Sequence, residues 1–264
     1  MISEVRCNIC NSSVLRRWLN LPSGHAIYVC QRCTNAATIP EPNQVYDRDE
    51  FFIHAQSNEA LSRSHMTPIV NFIKEHIAAG RLLDVGTGSG LLVEEALKLG
   101  FEAEGIDPSQ GAVRFCTNRG LRVKHGYLQH DSYSPHLFDV IVLSQVIEHM
   151  KEPGRLLETA QVFLKPGGMI CLSQTNYQGT IPRLLGQRWQ AWVPEQHFVH
   201  FSPQGIRFLL DRTGFRLIEL RLLPLGYVFS KRRFFYSLGF FISKLRLGFP
   251  FVGDQMYILA APTD

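Results

Sequence analysis

No stretch of this sequence approaches the about 18 consecutive apolar residues that a membrane-spanning helix needs. The opening residues, MISEVRCNIC, lack the basic start and apolar core of a signal peptide and carry an acid and two cysteines instead. No segment reads as disordered, so the expectation is a folded cytoplasmic protein. A basic surplus is missing from the body of the chain. Residues 1–66 hold six Lys/Arg against six Asp/Glu and residues 67–220 hold fifteen against fifteen, so the net +4 comes wholly from residues 221–264, six against two. Proteins that track nucleic acid spread cations over their binding face, and the balanced body weighs against that class.

What is present begins with size. With 264 residues and 45% hydrophobic content, the chain can bury one domain of ordinary size and keep roughly 60 residues for an accessory module. Four of its six cysteines form two knuckles, Cys7-x2-Cys10 and Cys30-x2-Cys33, with 19 residues between them. Each C-x-x-C turn aims two thiolates at one ion, so the spacing suits a tetrahedral zinc site in a zinc-ribbon-like module over residues 1–45. Four thiolates close the coordination sphere, and the zinc is expected to be structural. A disulfide pair is the competing reading, disfavoured in a cytosolic setting. Cys116 and Cys171 stand alone in apolar segments and read as core residues.

Past a Pro-rich linker, ATIPEPNQVYD, with the linker between the domains set at 46–65, strands and helices alternate. Helices are expected at 66–79, 90–99, 109–119 and 153–164, and strands at 81–86, 101–107, 121–125, 138–143 and 168–174, with a sharp turn at KPGGMI. Strands such as FDVIVLS are apolar almost throughout, as in a parallel sheet covered on both faces. A doubly wound α/β domain over 66–264 follows, with its ligand at the carboxyl ends of the strands.

The stretch LLDVGTGSG, residues 82–90, is the sharpest local signal. The dinucleotide fingerprint G-x-G-x-x-G fails here because position 91 is leucine, and the phosphate loop fails for lack of its lysine. What stands is D-x-G-x-G-x-G, Asp84 to Gly90, with GID closing the next strand at Asp107. Glycines let backbone approach a ligand closely. An acid ending the first strand would repel a pyrophosphate and suits a cationic ligand.

These residues resemble the class I S-adenosylmethionine-dependent methyltransferases over about 66–220. The resemblance implies a Rossmann-like, mostly parallel seven-stranded sheet. It also implies that Asp84 and the loop of Gly86, Thr87, Gly88 and Gly90 hold the methionine part of S-adenosylmethionine, that Asp107 with Pro108 takes the ribose, and that Gly126, Tyr127 and Leu128 flank the adenine. Ser144 and Gln145 would line the methyl-donor side.

The following SQVIEHM is similar to the E-V-x-E-H-V of quinone O-methyltransferases, with Glu148 and His149 matching. The likeness stops at Gln145, where those enzymes carry a carboxylate that helps bind a divalent metal. Methyl transfer needs a base for one proton, and His149 suits that role; capping of the next helix is its other reading. The long segment TNYQGTIPRLLGQRWQAWVPEQHFVHFSPQG follows the fifth strand. Loops of this length are usually functional. His197 is a second candidate base there, the pair His197 and His200 lacks a third metal ligand, and Ser202 caps a helix. Trp189 and Trp192 read equally as a wall for the acceptor and as packing.

The motif [N/D]-P-P-[Y/F/W] of amino methyltransferases is absent, LSQV standing in its place. The zinc module, the EH pair and EQHFVHFS together look like methyltransferases of bacterial sugar, polysaccharide and natural-product pathways. That implies O-methylation of a glycan, a lipid-linked saccharide or a secondary metabolite, catalysed by His149 or His197 with Glu148. Quinone-like acceptors, ribosomal RNA, and a non-catalytic binding protein on this fold are the alternatives.

An aromatic and basic insertion at 225–251 lies between strands expected at about 215–222 and 255–261. Within 227–251 it carries Lys231, Arg232, Arg233, Lys244 and Arg246 and no acid, with apolar residues at helical spacing. Such a helix suits a membrane interface at the inner leaflet, and its other reading is a face packed on the core or on a second copy.

Overall fold

The computed structural model describes residues 5–43, 59–223 and 253–263. The expected insertion at 225–251 and most of the linker lie outside the described residues. Two sheets organise the chain.

The larger sheet has seven strands: β4 (Arg81–Val85), β5 (Glu102–Asp107), β6 (Val123–His125), β7 (Phe138–Ser144), β8 (Leu164–Thr175), β10 (Phe215–Leu223) and β11 (Gln255–Pro262). Their order is β10-β11-β8-β7-β4-β5-β6. β4, β5, β6, β7 and β8 run parallel, while β11 pairs antiparallel with both β8 and β10. The hairpin of β10 and β11 therefore closes the sheet on either side of the undescribed segment, as expected.

Alternate residues of each central strand feed two separate cores, because successive side chains point to opposite faces. From β7, Phe138, Ile141 and Leu143 pack on one face and Val140 and Val142 on the other. The first face is covered by α4 (Pro153–Phe163) and α6 (Pro203–Arg212), through Leu156, Leu157, Phe163, Ile206 and Leu209. The second face carries α1 (Glu59–Lys74), α2 (Leu91–Lys98) and α3 (Gln110–Asn118), through Ile69, Phe72, Leu92, Val93 and Cys116. Each fully buried Val, Leu or Ile contributes about 1.5–3 kcal/mol, so strands dry on both sides anchor the domain.

Three expectations change. α1 starts seven residues before the expected position 66, at Glu59. Its polar first turns lack an apolar period, and Arg63 holds them by ion pairs to Glu94 and Glu95 of α2, 2.8 and 2.9 Å. The KPGG turn is a bulge inside β8, whose pairing with β7 jumps from Phe138↔Leu164 to Val140↔Met169. The ATI of the supposed linker belongs to a strand, β3 (Ala36–Ile39), whose small side chains are sandwiched between neighbours.

The smaller sheet runs β1 (Leu15–Asn20), β2 (Ala26–Cys30), β3 and β9 (Val199–His200), all antiparallel. Three of its strands come from the cysteine-bearing N-terminal segment. The fourth comes from the long segment after β8, so the sheet is completed by a piece of the other half of the molecule.

Candidate functional site

β4 lies between β5 and β7, so the loops after β4 and β7 diverge there and open a crevice. The loop after β4 is held from below. Gly86 takes φ +73°, and a Cβ on it would stand 2.9 Å from Val146, so both conformation and space call for glycine. Its N–H donates to Ile106 O at 2.8 Å. Thr87 Oγ1 donates to Asp84 Oδ2 at 2.7 Å, and Gly88 N–H donates to Asp107 Oδ2 at 2.8 Å. Asp107 Oδ1 accepts from Ser109 N–H at 2.8 Å. Gly90 caps α2 and lies beneath the crevice against Leu121 and Cys116, not in the lining of either cavity described below. Burial pushes Asp84 up to about 7, with Asp107 adding repulsion, and burial raises Asp107 as well.

Two cavities meet over this loop. The smaller, of about 200 Å³, is lined by Asp107, Pro108, Gly126, Tyr127 and Leu128, together with Ser109 and Ala112 of the next turn. The larger, of about 580 Å³, is lined by Asp84, Thr87, Ser144 and His197 among others. Gly86, Gly88, Gln145 and His149 line both and form the junction. Gln145 sits there in the left-handed region at φ +55°, a conformation that costs a non-glycine residue of order 1 kcal/mol or more. Its main-chain N–H and its side-chain amide both donate to Ser173 O, each at 2.9 Å.

His149 ends a short 3-10 turn, Ile147–His149, directly after β7. It does not cap α4, whose N-cap is Glu152. The His149 and His197 rings meet edge to face with centroids 4.6 Å apart. One donor atom each from Glu148, His149 and His197 lies within 4.8 Å of the others, a set that could hold a metal ion as well as pass a proton. His200 is not part of that set; it lies in β9, where Thr38 Oγ1 and its Nε2 stand 2.9 Å apart. Burial lowers His149 well below the usual imidazole range and His197 to about 4, so both are neutral at physiological pH. Glu148 lies behind them, 1% exposed, with neither carboxylate oxygen hydrogen-bonded, and burial lifts it to about 7.

Trp189 and Trp192 are each 2% exposed and pack with Tyr177, Leu21 and Ile27, so packing is their role. The wall between and beyond them is made by Gln190, Ala191, Val193, Gln196 and His197. Sequence reasoning missed much of the larger cavity's lining, including His65, Met66 and Ile69 from α1, Leu91 and Leu92 from α2, Ser173 and Thr175 from β8, and Gln255 and Tyr257 from β11. Their only signal was position near the carboxyl end of β8 or on an amphipathic helix.

The four cysteines of the N-terminal segment come together, all buried, with Cys7 and Cys33 sulfurs 3.5 Å apart and Cys10 and Cys30 likewise. Sulfurs around a zinc at about 2.3 Å stand roughly 3.7 Å apart, so the arrangement fits that ion and is far too open for disulfides. The knuckles close by hydrogen bonds from Asn11 N–H to Cys7 O and from Thr34 N–H to Cys30 O, with Asn11 and Thr34 at positive φ. The thiols act on one another: the hydrogen bond between Cys7 and Cys33 lowers Cys7 and raises Cys33, and burial raises Cys10. Cys116 and Cys171 are wholly buried apart from this group, as core residues. Among the described residues no helix is long and apolar enough to cross a membrane.

Comparison with known proteins bears on this geometry. A family profile described as a methyltransferase domain matches residues 57–220, more than half of the chain. A ubiquinone biosynthesis O-methyltransferase of Nitrobacter winogradskyi is 33% identical over 157 residues, 54% of this chain and 59% of that protein. The chain thus matches little more than half the length of that relative. Two solved structures share the fold. One, from Thermotoga maritima, is described as a SAM-dependent methyltransferase and possible histamine N-methyltransferase (TM-score 0.59, 17% identity, 81% of this chain and 98% of that one). The other is the 1,6-didemethyltoxoflavin-N1-methyltransferase of Burkholderia thailandensis with bound S-adenosylhomocysteine (TM-score 0.58, 14% identity, 94% and 100%).

Proposed function

The chain belongs to this methyltransferase-domain family and has the class I S-adenosylmethionine-dependent fold, and from that premise we propose that it methylates a hydroxyl of a small, uncharged acceptor. The observation that carries the reading is the junction of the two cavities beneath a pair of neutral imidazoles. S-adenosylmethionine supplies the sulfonium methyl. Its nucleoside suits the smaller cavity, where Asp107 faces the ribose and Gly126, Tyr127 and Leu128 the base. Its cationic end suits the Asp84 side of the larger one, a buried carboxylate being a favourable partner for a sulfonium.

The rest of the larger cavity is left for the acceptor. Among its described lining residues there is no lysine or arginine, and Asp84 supplies negative charge. A phosphate or carboxylate near the reacting oxygen would be buried without a partner, which is costly. An acceptor hydroxyl would donate to His149 or His197, and that imidazole would take its proton as the oxygen displaces the sulfonium's methyl, the sulfur keeping the bonding pair. The new imidazolium forms beside Glu148, which stabilises it when ionised. Such base catalysis is worth about 10²–10⁴-fold.

Two acceptor chemistries fit an uncharged pocket: the hydroxyl of a glycan, lipid-linked saccharide or secondary metabolite, and a quinol-like phenol. The likeness to O-methyltransferases of ubiquinone biosynthesis favours the second. The zinc in the four-cysteine centre has a structural part in either case. Label transfer from S-adenosylmethionine to catechol, hydroquinone and methyl glucoside, followed by mass spectrometry, separates the two. Failure of the protein to bind S-adenosylmethionine in calorimetry, or faster transfer to anionic than to neutral phenols, or transfer to ribosomal RNA, would overturn the reading.

A further inference from the structure

The larger cavity has two supports of different origin. Its donor side rests on the seven-stranded sheet: Asp84, Thr87, Gly88 and Asp107 bond to one another and to Ile106 and Ser109. Its opposite wall, residues 190–197, is tied to the cysteine-bearing segment. β9 pairs with β3 through Ala36↔His200 and Ala37↔Val199. Thr38 N–H donates to Phe198 O at 3.2 Å, while Phe198 N–H donates to Glu148 O at 2.8 Å. One residue, Phe198, therefore links the cysteine module to the turn that carries Glu148 and His149, and His197 is the residue before it.

Side chains repeat the connection. Thr38 Oγ1 meets His200 Nε2 at 2.9 Å, and the His200 ring packs on Trp192 with centroids 4.8 Å apart. Trp192 in turn contacts Trp189 at 4.9 Å and Trp18 of β1 at 5.5 Å. Asn35, three residues before Thr38, holds the start of α6 by donating to Gly205 O at 3.1 Å. All three tryptophans of the chain lie in this seam.

We propose that Thr38 and His200 are positioning residues which make the cysteine module part of the acceptor site, so that the module sets the placement of His197 and His149 and leaves the cofactor side untouched. The inference rests on the reading that this cavity takes the acceptor. Neither residue touches the cavity; they act through β9 and Phe198.

The test uses the full-length zinc-loaded protein, the Thr38→Val and Thr38→Ser variants, and S-adenosylhomocysteine as the probe ligand. Hydrogen exchange of the amides of 197–200 and the ring resonances of His149 and His197 report the wall. Thr38→Val is expected to speed exchange there about tenfold and to move both histidine resonances, while the Kd for S-adenosylhomocysteine stays within about twofold. Thr38→Ser keeps the hydroxyl and restores the wild-type values. Unchanged exchange and resonances in Thr38→Val would overturn the proposal, and so would a loss of ligand affinity equal to the loss of protection. If Thr38→Val does not fold, chelation of the wild type takes its place: tryptophan emission should shift to the red with the Kd retained, and joint loss of both counts against the proposal. Absence of any S-adenosylhomocysteine binding by the wild type sinks the cofactor reading instead, and the exchange data still decide the role of the seam.

Discussion

The donor side and the acceptor side of the crevice are built in opposite ways. The donor side is centred on one continuous run, β4, its glycine loop and β5, with Gly126, Tyr127, Leu128 and Gln145 added at its rim, and much of its chemistry is backbone: amides bonded to Asp107 and an open approach over Gly88. The acceptor side is assembled from five separated pieces, α1, the turn after β7, the end of β8, the 190–197 segment and β11. Backbone chemistry demands glycine and a fixed spacing, so it leaves a written pattern. Side-chain chemistry collected from distant elements demands only that the fold bring them together.

The widest separation of the two sides is expected from removing the two proposed bases. His149→Ala with His197→Ala should lower the rate of methyl transfer by about 10²–10⁴-fold while the Kd for S-adenosylmethionine changes far less in calorimetry, His149 alone of the two bordering the smaller cavity. Equal losses in both quantities would show that the histidines support the cofactor side too.

Asp107→Ala tests the reverse. It removes the acceptor of the Gly88 and Ser109 amides and should weaken cofactor binding by about 1.5–3 kcal/mol, with hydrogen exchange of 190–200 unaltered. Loosening of the wall in this variant would break the division.

The smallest effect is a pH dependence. Burial raises Asp84 to about 7, above an ordinary carboxylate, so in the free protein it contributes stability in its protonated form, and that contribution is lost as pH rises through about 7. A sulfonium prefers the ionised form, whereas the thioether product does not. The ratio of affinities for S-adenosylmethionine over S-adenosylhomocysteine should therefore climb several-fold between pH 5 and 8 and then flatten. Asp84→Asn should make it flat throughout; a slope that survives in that variant assigns the titration to another group.

Legibility followed the same division. β5, α2 and α3 fall within a residue or so of their expected ends because period, caps and glycines agree, as in Ser109, whose hydroxyl accepts from Ala112 N–H at 3.0 Å. Of the expected cofactor residues, eleven line one cavity or both with Ser144 and Gly126 among them, and Gly90 lies just below. His149 and His197 stand out in the sequence as candidate bases from their place after strands, yet their edge-to-face contact does not. Tyr257 and Gln255 look from sequence like ordinary members of a closing strand. β9 was invisible, since two residues carry no period; only its pairing with β3 makes it a strand.

That pairing also sets an order of events in synthesis. Thr38 and His200 are 162 positions apart, and at about 5–20 residues per second a ribosome needs roughly 8–30 s to cover the interval. During that time β3 has β2 on one side and an unfilled edge on the other, the kind of edge that invites pairing with another chain. The cysteine knuckles, complete by residue 33, are in place to take a metal and fix the first three strands long before the fourth exists. Metal supply during translation would then decide how long a loose, adhesive hairpin is exposed, and the yield of soluble protein should depend on zinc in the growth medium more steeply than the stability of the finished molecule does.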